Sequence, residues 1–298
     1  MSKSYIVKTG VRGLALGLWL AAGPAARAGT TIAAPNQYAY GANVGWIDAR
    51  ANVTNGAAIG QYFCTGYVWS ANCGWIGLGN GPTNGWNYSN ASAADWGVNH
   101  DCAGYLWGFA YGANVGWLTF EQSWGRPRIN LLTGNLSGYV WSANLGWISL
   151  SNAQAFVQTG SFFPGPDSDG DGLPDPWERS RAGNLTALSG GSHDQDGDGA
   201  TDTEEYGADT DPTDNTETFL ITAYSESAGT LQWTTRPTRL YQVEATNQTP
   251  VGVSGAWDEF STRLGPFSVS PHEASLPAIP HTAHVFRVKA FLPLTASP

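Results

Sequence analysis

Apolar and polar positions alternate over short stretches through most of the chain. In Tyr139-Val-Trp and Trp147-Ile-Ser-Leu150, the residues Tyr139, Trp141 and Trp147 share one parity, while Val140, Ile148 and Leu150 share the other. Short period-two runs of aromatic and β-branched residues predict β-strands. Both parities are partly apolar. That fits strands covered on two sides, as in a sandwich, a propeller-like ring or a solenoid layer, and argues against a single half-wetted sheet.

This pattern recurs. Four segments align: Tyr38-Ala-Tyr-Gly-Ala-Asn-Val-Gly-Trp-Ile47, Tyr67-Val-Trp-Ser-Ala-Asn-Cys-Gly-Trp-Ile76, Phe109-Ala-Tyr-Gly-Ala-Asn-Val-Gly-Trp-Leu118 and Tyr139-Val-Trp-Ser-Ala-Asn-Leu-Gly-Trp-Ile148. The last Trp falls at 46, 75, 117 and 147, with spacings of 29, 42 and 30 residues. A unit doubled, and the pair doubled again, explains why copies one and three match best, as do two and four. Such a period predicts a repeat architecture whose units bury their faces against one another. Within each unit, Ala-Asn-x-Gly predicts a tight turn between antiparallel strands, because Asn and Gly take positive φ most readily. A third strand is expected before the hairpin, as in Arg128-Ile-Asn-Leu-Leu132 ahead of a Thr133-Gly134 turn, giving three strands per unit. Every copy needs the same packing, so repetition favours Trp in the core and Asn in the turn. The competing reading is sugar binding, with flat rings stacking on pyranoses. Trp86, Trp96 and Trp124 lie outside the repeated positions and are the better candidates for a ligand surface.

Charge divides the rest. Residues 29–166 hold four acids, three bases and ten of the 14 Trp; residues 167–217 hold 15 acids and two bases; residues 218–298 hold five of each sign. These shifts predict a Trp-rich β-repeat domain of four units over 29–160, an acidic module with brief helices over 161–217, and a third domain over 218–298. Gly160 to Pro166 and Asp211 to Thr216 read as linkers. Phe219-Leu-Ile-Thr-Ala, Gly229-Thr-Leu-Gln-Trp-Thr-Thr, Leu240-Tyr-Gln-Val-Glu-Ala and His284-Val-Phe-Arg-Val-Lys-Ala alternate at period two, as expected of a fibronectin-like β-sandwich. The net charge of −10 argues against nucleic-acid binding.

The first 28 residues read as a signal peptide: Lys3, Lys8 and Arg12, then an apolar run from Gly13 to Ala22, then Ala26-Arg27-Ala28. The run is too short to span a bilayer, which needs about 20 apolar residues. The mature protein is therefore expected outside the cytoplasm, secreted or at a cell surface. An oxidising compartment permits one disulfide among Cys64, Cys73 and Cys102; Cys64 and Cys73, which flank one hairpin, are favoured. His272, His281 and His284 are spaced too loosely for a zinc site.

The acidic module carries the sharpest signal. Asp167-Ser-Asp-Gly-Asp-Gly-Leu-Pro-Asp-Pro-Trp-Glu178 and Asp194-Gln-Asp-Gly-Asp-Gly-Ala-Thr-Asp-Thr-Glu-Glu205 both place oxygens at positions 1, 3, 5, 9 and 12, with Gly at position 6. This is the spacing of an EF-hand calcium loop. The expected ligands are Asp167, Asp169, Asp171, the Leu173 carbonyl, Asp175 and Glu178, then Asp194, Asp196, Asp198, the Ala200 carbonyl, Asp202 and Glu205. Ca²⁺ takes six to eight hard oxygens, and without a cation such close carboxylates repel one another. No long amphipathic helix precedes either loop, so the pair reads as a structural module and not as a sensor.

On these residues the segment resembles the thrombospondin type 3 and dockerin-like calcium repeats of bacterial secreted proteins. The resemblance implies paired calcium loops stiffening a spacer between extracellular domains, with Asp209, Asp211 and Asp214 completing a site. The expected function is a secreted, non-catalytic, calcium-stabilised structural or adhesive protein of a surface or matrix. The alternative is a lectin-like protein that binds a surface glycan through its Trp-rich repeats; other extracellular proteins are further candidate partners. No nucleophile elbow or zinc-protease motif is present. A glycosidase would have to draw its acids from Asp95, Asp101 and Glu121.

Overall fold

A computed structural model describes residues 4–8, 12–14, 29–225, 227–246, 257–259, 261–275 and 285–294. Among the described residues the protein is mainly β, with two short helices, α1 (Asp175–Ala182) and α2 (Asp202–Ala208). Two compact units emerge. One holds the Trp-rich region and α1, and the other holds residues 186–293 with α2.

In the first unit, eight strands close into a barrel. They form four hairpins: Ile32–Gly41 with Gly45–Asp48, Tyr67–Ser70 with Gly74–Gly77, Leu106–Gly112 with Gly116–Thr119, and Tyr139–Ser142 with Gly146–Ser149. Each hairpin contains one of the four aligned segments. Hairpins join through Asp48 opposite Trp69, Gly77 opposite Tyr111 and Leu118 opposite Ser142, and the ring closes where Ile148 pairs with Gly41. The architecture is therefore none of the three expected from two-sided apolarity. The second strand of each hairpin pairs with the next hairpin, so the chain closes a single barrel and leaves no edge among these strands.

Side-chain parity is the reverse of the core assignment made from repetition. Ala39, Ile47, Ile76, Ala110, Leu118, Val140 and Ile148 are buried inside. Trp46, Trp75, Trp117 and Trp147 face outward, 48%, 48%, 46% and 42% exposed. Successive strand residues point to opposite faces, so in each Trp-Ile or Trp-Leu pair only one can enter the barrel. The narrow interior takes the aliphatic one.

The turns show why Asn recurs. Only the glycine takes positive φ, at +76° in Gly45, +79° in Gly74, +73° in Gly116 and +75° in Gly146. Each Asn instead reaches sideways. The Nδ2 of Asn72 donates to the Val44 carbonyl at 2.9 Å, Asn114 to Cys73 at 3.1 Å, Asn144 to Val115 at 2.9 Å, and Asn43 to Leu145 at 3.1 Å. Four amides thus staple four hairpins into a closed cycle. The residues whose carbonyls accept, Val44, Cys73, Val115 and Leu145, bury their side chains at that end of the core.

The expected third strands stay outside the barrel as two small ribbons. Arg128–Ile129 pairs with Leu136–Ser137, and Ala58–Ile59 pairs with Cys64–Thr65. The proposed first linker is partly ordered on the same unit: Gly160 donates to Thr31, Gln61 donates to Phe163, and Phe163 packs edge-on against Phe63 with centroids 5.4 Å apart. Cys64 and Cys73 are both buried free thiols, so the favoured bond between them is not formed. Cys73 fills the position held by Val44, Val115 and Leu145 in the other turns, and acts as a small apolar residue. Burial pushes the Cys64 thiol up to about 12.

In the second unit, Ile221–Ser225, Thr230–Trp233 and His272–Ser275 form one antiparallel sheet. Leu240–Thr246 pairs with Val285–Phe291 in another, which also includes Asp258–Glu259, Ser4–Lys8 and Arg12–Leu14. Leu231, Trp233, Tyr241, Val243, Phe286 and Val288 from both sheets share one core. Ala28, the expected cleavage point, lies outside the described residues, as do His281 and His284, whereas Ser4–Lys8 and Arg12–Leu14, expected in a removed signal peptide, are strands of the sheet that holds Val285–Phe291.

Candidate metal centre and the aromatic surface of the barrel

The second acidic loop, 194–205, lies wholly in the second unit. Gly197 and Gly199 have φ of +77° and +92°, a region that side chains disfavour. These bends bring carboxylate oxygens of Asp194, Asp196 and Asp198 within 4.8 Å of one another. Backbone amides hold the set from outside. Gly197 and Gly199 donate to the two oxygens of Asp194 at 2.8 and 3.0 Å, Asp198 N donates to Asp196 Oδ1 at 3.1 Å, and Ala200 N donates to Asp198 Oδ1 at 2.6 Å. The remaining oxygens, Oδ2 of Asp196 and of Asp198, are buried and accept no hydrogen bond from protein. Burial, followed by the charges of Asp198, Asp194 and Asp202, raises the Asp196 carboxyl above its ordinary value.

Helix α2 delivers the last carboxylate. Thr201 caps it, its hydroxyl accepting from Glu204 N while Glu204 reaches back to Thr201 N. The capping box uses Glu204 and leaves Glu205, which is fully buried and accepts from Thr210 Oγ1 at 3.0 Å. Asp202, at loop position 9, has a different job. Its oxygens accept from Gln195 N at 3.0 Å and Ser189 N at 2.9 Å and lie 2.7 Å from His193 Nδ1. It braces the loop from behind.

The first loop, 167–178, has the same local design. Gly170 and Gly172 have φ of +77° and +97°, and Asp167, Asp169 and Asp171 oxygens converge within 4.8 Å. Gly170 N donates to Asp167 at 2.8 Å and Leu173 N donates to Asp171 at 2.8 Å. Asp175 is the counterpart of Asp202: both its oxygens accept from Ser168, each at 2.6 Å. Glu178 is fully buried in the first turn of α1. Leu173 and Ala200, expected to offer carbonyls, are both buried.

The donor sets fit a hard divalent cation. They are all oxygen and several-fold negative, and two buried oxygens of the second loop would otherwise go uncompensated. Of the three acids beyond the second loop, Asp209 accepts from Thr238 and lies 3.7 Å from Arg239, Asp211 accepts from Thr213, and Asp214, which accepts from Thr216, lines one pocket with Asp196.

The candidate catalytic acids of the barrel unit sit in turns. Asp95 accepts from Thr83 N at 3.0 Å and Ser89 N at 2.9 Å. Burial raises its carboxyl, but these hydrogen bonds outweigh it and hold the group below the ordinary range, the wrong direction for a general acid. Asp101 accepts from Ala103 N and Tyr105 N. Among the described histidines, His272 stacks on Phe267.

The second conspicuous surface is the outside of the barrel. In every hairpin the outward Trp lies directly across from another aromatic residue: Tyr40 with Trp46, Trp69 with Trp75, Tyr111 with Trp117, and Trp141 with Trp147. Ring centroids are 4.9 Å apart in three pairs and 6.5 Å apart in Trp69–Trp75. Of the three Trp expected to be exposed ligand residues, Trp96 packs edge-on against Trp117 at 5.4 Å and so joins one strip. Trp124 is 87% exposed and Trp86 half-buried. The hairpin aromatics were legible only through parity. Repetition had pointed them inward.

No family model, curated protein or solved structure shows significant similarity to the chain.

Proposed function

We propose that this is an exported, non-catalytic protein that two calcium ions stabilise for structural or adhesive work at a cell surface or in a matrix. The observation that carries this reading is the second loop, where buried carboxylate oxygens of Asp196 and Asp198 converge with no hydrogen-bond donor from protein. A cation is the economical compensation for that charge. Asp167, Asp169, Asp171 and Glu178 hold one ion; Asp194, Asp196, Asp198 and Glu205 hold the other, with Leu173 and Ala200 supplying carbonyls. Asp175 and Asp202 stay in the outer layer. In this reading the four hairpins are copies of one ancestral unit, and the C-terminal sheets form a fibronectin-like sandwich.

Calorimetric titration of the mature chain tests it. Two calcium ions should bind with dissociation constants of about 10⁻⁴–10⁻³ M, as in extracellular modules, and Mg²⁺ should substitute poorly. Binding of no ion, with melting unchanged by EDTA, overturns the reading. The exposed Trp residues support the lectin-like alternative as the binding half of the same function, because the barrel core does not use them.

A further inference from the structure

The closed barrel accounts for its backbone hydrogen bonds and for its aliphatic interior, but not for the rings outside. Exposed aromatic surface of this extent on a water-facing sheet marks a binding face. We propose that each hairpin's outward aromatic strip is a separate site for a neutral polysaccharide, so that one barrel engages several sugar chains or several stretches of one chain. This rests on the exported, adhesive reading and names the ligand class and valence.

Three observations select the ligand. First, closure leaves no unpaired edge among the eight barrel strands, so an added peptide strand has no backbone row to join. Second, among all residues of those strands only Asp48 carries a formal charge. Gln37 and the Arg50 amide already bind Asp48. Nothing on the strips would neutralise a phosphate, sulfate or uronate, and the chain's net charge of −10 repels polyanions. A neutral ligand with apolar faces and polar edges remains, which is the chemistry of a pyranose chain against Trp and Tyr rings. Third, the strips sit on four successive hairpins around a cylinder. A flat membrane or one globular partner reaches adjacent strips at most, whereas separate polymer chains reach all four.

The test uses the mature chain with calcium present. Its retention on xylan, mannan and a neutral β-glucan is compared with retention on alginate and on phosphatidylcholine vesicles. Quenching of Trp fluorescence and turbidity of soluble β-glucan read contact and cross-linking. Neutral polymers should bind and cross-link, and alginate and vesicles should not. The fourfold variant W46L/W75L/W117L/W147L keeps apolar cover but removes the flat faces. It should lose at least about tenfold in retention, as expected when several weak sites act together. Single Trp→Leu variants keep three strips and should lower turbidity without abolishing either cross-linking or binding. Should the fourfold variant melt early, Tyr40→Leu with Tyr111→Leu removes the partner ring from two strips and should halve the binding stoichiometry. Undiminished retention by folded variants, equal binding of alginate or vesicles, or no neutral polymer bound by the parent overturns the proposal. If these fail while two calcium ions still bind and stabilise, only this inference falls. Sugar binding that survives while calcium has no effect removes the calcium reading instead.

Discussion

The barrel and the second acidic loop both turn at glycines of positive φ, yet they are held in opposite ways. The barrel turns its aliphatic residues inward and closes a cycle of four Asn amides on backbone carbonyls at one end, so that end is held by protein groups alone. The loop turns carboxylates inward, and its amides leave Oδ2 of Asp196 and of Asp198 without a donor. In the loop the local geometry thus gathers carboxylates and leaves two of their buried oxygens without a protein donor.

The strongest test of this contrast is within one strand. Ile76 is 1% exposed and Trp75, beside it, 48%. Ile76→Ala should destabilise the barrel by about 2–5 kcal/mol through lost burial and a cavity. Trp75→Ala should cost only about 0.5 kcal/mol, as surface changes do. Chemical denaturation of both variants measures the difference, and a Trp75 penalty as large as that of Ile76 would return Trp to a structural role.

Calcium should act on the other side of the comparison. At a free ion concentration about a hundredfold above the dissociation constant, each site stabilises its folded form by about 2.7 kcal/mol. Scanning calorimetry with and without EDTA should move the transition of the unit bearing α2 by that order. The barrel's unit carries α1 with Glu178 of the first loop, so its transition should shift as well. Asp196→Asn removes one inward charge and should weaken one of the two sites. Unchanged affinity at both would mean the loop does not close on an ion as its geometry suggests.

A smaller effect probes the amide cycle. Asn72→Ala removes the donor to Val44 and should cost about 1 kcal/mol, the usual net worth of a hydrogen bond. The Ala-Asn-x-Gly motif was legible as a turn, but not as a staple, because Asn43, Asn72, Asn114 and Asn144 act on neighbouring hairpins 28 to 102 residues away. The same limit explains the barrel. Period two gave the strands and the two apolar parities, but closure depends on Ile148 meeting Gly41 across the whole domain. Which parity enters the barrel then depends on how much room eight strands leave. The converging carboxylates of the two acidic loops were legible from the sequence because their geometry is local. The exceptions, Asp175 and Asp202, are set by which backbone amides reach them first.

The shallowest effect concerns His100, on the barrel's unit. Its Nδ1 lies 2.9 Å from the Gly60 carbonyl, and Nε2 is buried with no hydrogen-bond partner, beside the Phe162 ring at 5.0 Å between centroids. Donation from Nδ1 to Gly60 leaves Nε2 unprotonated in the neutral ring, so a second proton would place a cation in an apolar site. Burial therefore lowers the imidazole below its usual 6.5, with the Gly60 carbonyl and the charge of Asp101 opposing the shift only in part. The sign follows from the proton count. As pH falls from above 6.5 toward the folded value, the unfolded chain binds a proton that the folded barrel does not. Stability then declines on acidification, at no more than about 1.4 kcal/mol per pH unit for one group. His100→Gln should flatten the dependence of the barrel's melting temperature on pH between 7.5 and 5, measured against the parent in the same buffers. An identical slope in both proteins would place the acid sensitivity elsewhere, since Asp101 and the Gly60 carbonyl are unchanged by the substitution.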